Sequence, residues 1–173
     1  QCLVGSEMCI RDRYTNLYTF DESGKRFLLS KVDVTNGKRI SFQFEASQYN
    51  KGWNELFSTD QHTFISGPTG NPKFMQIFMD TIFEITPKGI KPYITLQSKK
   101  LVTKEYLETL IAENDMSKSV RVSKIYDRLM KTDKIYNVFD YWETGKYIHF
   151  SYHVGFYGYS ILYKKEENKA YVM

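Results

Sequence analysis

Short runs of alternating apolar and polar residues, closed by turn residues and repeated along the chain, constrain this sequence more than any single motif. In Lys146–Val154, Ile148, Phe150, Tyr152 and Val154 alternate with His149, Ser151 and His153, the period of two of a strand. Lys134–Trp142 precedes it through a Glu143-Thr144-Gly145 turn. Tyr157–Lys164 follows it, and Glu166-Glu167-Asn168-Lys169 turns the chain into Ala170–Met173. Short strands joined by tight turns predict an antiparallel meander.

The same rhythm recurs upstream. Lys73–Met79, Thr81–Thr86 and Ile90–Leu96 read as strands, with Asp80 and Pro87-Lys88-Gly89 at the turns; Pro presets φ and Gly takes the left-handed position. Asn54–Ser58 is the candidate innermost strand of this group, reached through the Gly67–Asn71 loop. Asn16–Phe20, Arg26–Val34 and Lys38–Phe44 form a further set, with turns at Glu22–Lys25 and Thr35–Lys38. Asn36-Gly37 is a strong hairpin signal.

Between the second and third groups the period changes. Thr103 can cap a helix with Glu105 in its first turn, and Tyr106, Leu107, Leu110 and Ile111 share one face at helical spacing. Asn114-Asp115 breaks it. A second helix is predicted from about Ser119 to Lys131, with Val122, Ile125 and Leu129 inward and Val120 and Tyr126 as further candidates. The expected fold class is therefore all-β: a partial β-propeller of four-stranded antiparallel meander blades with a helical insertion near 103–131.

Aromatic usage supports this reading: 14 Tyr, 12 Phe and 2 Trp make 16% of the 173 residues, and such residues fit a pleated, half-buried surface. The net charge of +4 is spread thin, without the basic stripe of a nucleic-acid binder. No segment has the roughly 18 consecutive apolar residues of a membrane span.

The first thirteen residues, QCLVGSEMCIRDR, resemble translated sequencing-adaptor read-through, and residues 1–13 are expected to be a non-native leader. A signal peptide is the poorer reading, because Glu7 interrupts the only apolar run and the charges fall at its wrong end. Both cysteines, Cys2 and Cys9, lie in this stretch, so the remainder can carry neither a disulfide nor a thiolate metal site.

The stretch Phe78–Tyr93 (FMDTIFEITPKGIKPY) resembles the D-T-I-Y-x-I-x-x-x-G-I-x-P-x-Y segment of a bacterial six-bladed β-propeller family. The resemblance continues through Tyr106-Leu107 and resumes in Ile135–Tyr163. It covers residues 14–173 and is strongest after Lys73. The resemblance implies an exported protein of the cell envelope, often lipid-anchored, with no catalytic residue to carry over. A blade takes roughly 40–45 residues, so residues 14–173 are expected to hold about two and a half to three blades of an incomplete propeller. An uncovered blade face would then make the fragment self-associate.

No constellation compels a chemistry. His149 and His153 on one strand would lie about 13 Å apart, too far to share a zinc ion, and read as ordinary polar-face histidines. Ser58–Phe64 places Ser, Asp and His adjacent in sequence, whereas a triad needs convergence from separate elements. Gly67-Pro68-Thr69-Gly70 lacks the lysine of a phosphate loop. Asp21–Gly24 and Asp133 lack the alternation of a calcium loop. Glu84, Glu143, Asp140 and Asp127 read as scattered surface or turn residues, not as the paired carboxylates of a glycosidase. Trp53, Trp142, Phe156 and Tyr157 could stack on sugar or peptide, although core packing is favoured for most of them.

The expectation is a non-enzymatic binding or scaffold module with no catalytic, cofactor or metal residues. Its partner would be a protein, peptide or carbohydrate, with no nucleic acid. Part of a propeller hydrolase or lyase, with its active residues in other blades, stays open as the alternative. A self-contained barrel or sandwich would overturn the propeller reading.

Overall fold

The computed structural model describes residues 12–15, 20–53, 64–65, 71–86, 88–113 and 117–173. The chain divides into two compact units, residues 1–54 and 55–173. The predicted strand at Asn54–Ser58, residues 16–19 of the predicted Asn16–Phe20 strand, the Ser58–Thr63 row and the Gly67–Gly70 loop lie outside the described residues.

In the first unit, β1 (Asp12–Thr15), β2 (Phe27–Asp33) and β3 (Arg39–Glu45) form an antiparallel sheet in that order. Of the predicted Asn16–Phe20 strand only Phe20 is described, in an isolated bridge to Arg26. The Asn-Gly turn forms where the sequence placed it: Gly37 has φ 71° and its N–H donates to the Asp33 carbonyl at 2.8 Å. A one-turn helix, α1 (Ala46–Tyr49), closes the unit. Leu28, Leu29, Ala46 and Trp53 are its buried apolar residues, and Arg26 ties the end of the unit by donating to the Trp53 carbonyl at 2.9 Å.

The second unit carries two four-stranded antiparallel meanders. One comprises β4 (Phe64–Ile65), β5 (Lys73–Phe74), β6 (Thr81–Thr86) and β7 (Gly89–Thr95). The other comprises β8 (Ile135–Glu143), β9 (Tyr147–Val154), β10 (Tyr157–Lys164) and β11 (Lys169–Val172). Both keep strict sequence order across the sheet. The all-β reading holds in this coarse sense, as antiparallel sheets with a helical pair between them.

One predicted strand is much shorter than its hydrophobicity suggested. Of Lys73–Met79 only Lys73–Phe74 pairs with β6. Past Met75 the chain leaves the sheet: Phe78 adopts φ 67°, and its N–H donates to the Tyr136 carbonyl of β8 at 3.3 Å. The apolar run is buried here as the β5–β6 connection, which packs against β8 of the other sheet, and burial alone does not distinguish that from a strand.

The helical excursion forms as α2 (Lys104–Ala112) and α3 (Lys118–Leu129). Thr103 caps α2, accepting from the Tyr106 N–H at 3.2 Å. Leu107 and Leu110 of α2 and Ile125 and Leu129 of α3 are buried, whereas Val120 is exposed. Tyr126 meets Tyr136 of β8 edge-on at 5.8 Å, which seats α3 on the second sheet. Gly155, at the β9–β10 turn, completes that seat. A Cβ on it would lie 2.7 Å from the Thr132 carbonyl oxygen and 2.9 Å from that of Met130. Only a glycine permits this approach at φ 60°.

Candidate functional site

The strongest concentration of charge is a buried chain of polar side chains that runs from the first of these sheets to the second. Strand β6 is buried at five of its six positions, so a carboxylate in its middle is removed from water on both sides of the sheet. Register supplies the remedy. Glu84 stands opposite Lys73 of β5 and opposite Lys91 of β7, and cross-strand partners share a face. Lys73 Nζ donates to Glu84 Oε1 at 2.7 Å, and Lys91 Nζ lies 2.9 Å from Oε2.

The chain then crosses between sheets. Lys73 Nζ sits 4.2 Å from the centroid of the Tyr93 ring, a cation held over an aromatic face. The Tyr93 hydroxyl donates to Glu143 Oε1 of β8 at 2.5 Å. Glu143 also accepts from the Tyr141 hydroxyl on Oε2 at 2.7 Å and from Lys165 Nζ on Oε1 at 2.5 Å. Lys165 is fixed in turn by the Thr144 carbonyl at 2.9 Å. The side chains of Lys73, Glu84 and Glu143 are 0%, 5% and 1% exposed, against 62% for Lys91.

These contacts decide the protonation states. The Lys73 ammonium holds the Glu84 carboxyl at about 2, against the opposing cost of burial, and Lys91 adds to the effect. Burial alone would raise Glu143, but hydrogen bonds from Lys165, Tyr93 and Tyr141 outweigh it and its carboxyl is lowered. Burial and then the Glu143 carboxylate push the Tyr93 and Tyr141 phenols well above their ordinary value. Both carboxylates are therefore ionised with their acceptor positions engaged, and both phenols keep their protons. A general acid needs a proton to give near neutral pH, and neither the ionised carboxylates nor the raised phenols supply one.

The sequence reading placed Glu84 and Glu143 at the surface or in a turn, and the structure corrects it. Glu84 is interior because β6 is covered on both faces, and Glu143 is the last residue of β8 rather than the first of a turn. Asp140 and Asp127 are exposed, as expected. Sequence reasoning did not connect Lys73, Tyr93, Tyr141 and Lys165 to either carboxylate. One signal was present: Glu84 interrupts the nearly continuous apolar run of a strand that is covered twice, and such a charge must have a partner.

The two histidines form a second constellation, on the face of β9 opposite Ile148 and Phe150. His149 is buried, so the open polar face expected for it is not observed. Trp142 covers it in a parallel stack at 4.9 Å, and its Nδ1 lies 3.0 Å from the Asp140 carbonyl. Asp140 sits in a β8 bulge at φ 53°, and that bulge aims the carbonyl at the imidazole. His153 lies between Phe139 at 4.5 Å and Tyr136 at 6.0 Å; burial lowers its pKa. Aromatic side chains stack on both rings. No trio of His, Cys, Asp or Glu able to hold a metal occurs among the described residues.

Asp21 is occupied locally: its Oδ1 accepts from the N–H and hydroxyl of Ser23 and the N–H of Lys25, an Asx-type turn. Asp133 is exposed, 3.6 Å from Lys100. Of the aromatic candidates, Trp53 is core as favoured. Trp142, Phe156 and Tyr157 are not, at 42%, 65% and 73% exposed. A crevice of about 10 Å³ lies among Phe78, Leu101, Ile135, Asn137 and Val138. It is water-sized, far below the roughly 300 Å³ of an organic-ligand site.

No family model matches the chain, and no curated protein matches it at a significant level. A solved structure of a Bacteroides fragilis protein thought to be exported is similar in fold, with a TM-score of 0.63 at 15% identity. The likeness covers 90% of this chain and 40% of that one, so this chain spans well under half the length of its structural neighbour.

Proposed function

We propose that this chain is a non-enzymatic module of an exported cell-envelope protein, built as part of a β-propeller and acting in binding or as a scaffold. The observation that carries the reading is the state of the buried network. Where charge is most concentrated, every carboxylate is ionised and engaged, so the groups cross-brace two sheets instead of meeting a substrate. Two successive four-stranded meanders in sequence order are consistent with blades, and the Phe78–Tyr93 resemblance points the same way. The fold likeness to a longer protein thought to be exported agrees with an envelope location, and no described helix is long and apolar enough to cross a membrane. The ligand would be a protein, peptide or carbohydrate meeting exposed loops and strand ends.

The test combines binding and turnover. Immobilised protein would be probed with glycan and peptide arrays and assayed with chromogenic ester, glycoside and peptide substrates. Saturable binding without turnover is expected. Turnover that Glu143→Gln abolishes while the fold persists would refute the reading.

A further inference from the structure

We propose that Asn36-Gly37 is a deamidation site that the folded β2–β3 turn holds closed, with Asp33 as the residue that closes it. The inference rests on this turn alone and not on the propeller or binding reading. Asn36 is the one asparagine of the sequence that is followed by glycine, and both residues are exposed. With no Cβ on residue 37, no side chain shields its main-chain nitrogen from the neighbouring carboxamide. The reaction is intramolecular. The Gly37 nitrogen attacks Asn36 Cγ and a C–N bond forms. Its proton passes to solvent, which returns one to Nδ2 as that atom leaves as ammonia, and a succinimide ring is closed. Water then opens the ring at either carbonyl, leaving aspartate or isoaspartate at position 36. The net change consumes water and releases ammonia.

Such an attack needs a nucleophile able to lose its proton and an electrophile that can swing into line with it. The turn opposes both. The Gly37 N–H donates to the Asp33 carbonyl at 2.8 Å, so its proton is held in a main-chain bond. The Asn36 carboxamide is gripped at both ends: Nδ2 donates to Asp33 Oδ2 at 2.8 Å, and Oδ1 accepts from the Lys38 N–H at 2.8 Å. Asp33 is itself fixed. Its Oδ1 accepts from the Thr35 N–H at 2.8 Å and from the Thr35 hydroxyl at 2.6 Å, and its N–H donates to the Lys38 carbonyl at 2.9 Å. To turn toward Gly37 the carboxamide must break a charge-assisted bond to Asp33. Modification would also prevent the turn from closing again in the same way. It replaces the amide donor with a carboxylate beside that of Asp33, where like charges repel, and isoaspartate lengthens the main chain inside the turn.

The test is peptide mapping by mass spectrometry, with isoaspartate detection, on the full chain held at mildly alkaline pH either native or in urea. Conversion at position 36 should be roughly tenfold or more slower in the native chain, the fold-change that one charge-assisted hydrogen bond supplies. Asp33→Asn keeps an acceptor for Thr35 but sets an amide where Oδ2 received Asn36, and should restore most of the urea rate to the native chain. Thr35→Val keeps the bond between Asp33 and Asn36 and should leave the rate within about twofold. Circular dichroism and the unfolding midpoint check that each variant folds. Asp33→Ala, which removes the grip without adding an amide, is the second variant should Asp33→Asn misfold. Conversion equally fast in both conditions, or in neither, would overturn the proposal. So would an Asp33→Asn rate at or below that of the wild type, as a carboxylate that promotes the attack would give. Equal acceleration by Asp33→Asn and Thr35→Val would overturn it too, since that marks a general loosening of the turn.

Discussion

The β4–β7 and β8–β11 sheets are built on one plan, four antiparallel strands in sequence order, yet they differ in how far they are enclosed. In the first, the central strand β6 is buried almost end to end, and its one charge is matched by lysines on both neighbouring strands. Its long edge strand, β7, carries Pro92 and Lys91. In the second, β10 begins with three exposed residues and β11 is exposed throughout. Aromatic side chains stand in solvent at Phe156 and Tyr157. Strand pattern alone therefore does not fix whether a meander is enclosed. What fixes it is coverage of both faces, and the cost of burying a charge then makes that coverage visible as paired side chains. Glu143 shows the second sheet sharing in this, matched by Tyr93 from the first sheet and by Tyr141 and Lys165.

The largest effect should come from emptying one side of the enclosed pair. Lys73→Met removes the enclosed cation that faces the buried Glu84, and removing one member of a buried ion pair costs about 3–5 kcal/mol. Urea denaturation should show this as a lower midpoint at unchanged slope. The double variant Lys73→Met with Glu84→Leu removes both charges together and should be more stable than Lys73→Met alone. A single Lys73→Met variant as stable as wild type would mean that the sheet is not enclosed at this point.

The second effect belongs to the open sheet and probes how it holds the helical pair. Gly155→Ala demands a left-handed backbone from alanine and drives Cβ against two carbonyl oxygens. About 2–4 kcal/mol is expected from the conformational and steric costs combined, read from the same denaturation curves. A smaller loss would mean that the β9–β10 turn can lift away from the end of α3.

Acid should test the buried network that the two sheets share. Glu84 is held at about 2 when folded, against 4.5 for the unconstrained carboxyl. Its contribution to stability is therefore complete above about 4.5 and is lost as pH falls through 2. Glu143 is shifted in the same direction and adds to the same slope. Unfolding midpoints between pH 5 and pH 2 should fall steeply for the wild type and less steeply for Glu84→Gln. An identical slope in both would place the acid sensitivity elsewhere.

The strands β6, β9 and β10 were legible from sequence to within a residue or so, because alternation and turn chemistry act over a few positions. The Thr103 cap and the buried faces of α2 and α3 were legible for the same reason. The polar network was not. Lys73, Glu84, Tyr93, Glu143 and Lys165 come from five separate segments, and only strand register and the meeting of two sheets bring them together. Phe156 and Tyr157 were misread toward the core because aromatic character signals a strand without saying which of its ends is covered. The shortened β5 had a similar cause: an apolar run records burial, and the β5–β6 connection that packs against β8 is buried as thoroughly as a strand.

The smallest expected effect is the sharpest comparison, because it concerns the same carboxylate. Lys91 meets Glu84 Oε2 at 2.9 Å, nearly as close as Lys73 approaches Oε1, but its side chain is 62% exposed while that of Lys73 is fully buried. An exposed ammonium keeps most of its hydration in the unfolded and folded states alike, so its ion pair is worth about 0–1 kcal/mol. Removing it leaves Glu84 still matched by Lys73. Lys91→Ala should accordingly lower stability by under about 1 kcal/mol, with a loss that shrinks as salt screens the pair. The effect of Lys73→Met should change little with salt, since buried charges are poorly screened. Equal losses for the two lysines, or equal salt dependence, would show that water reaches both sides of Glu84 and that the enclosure attributed to β6 is not real.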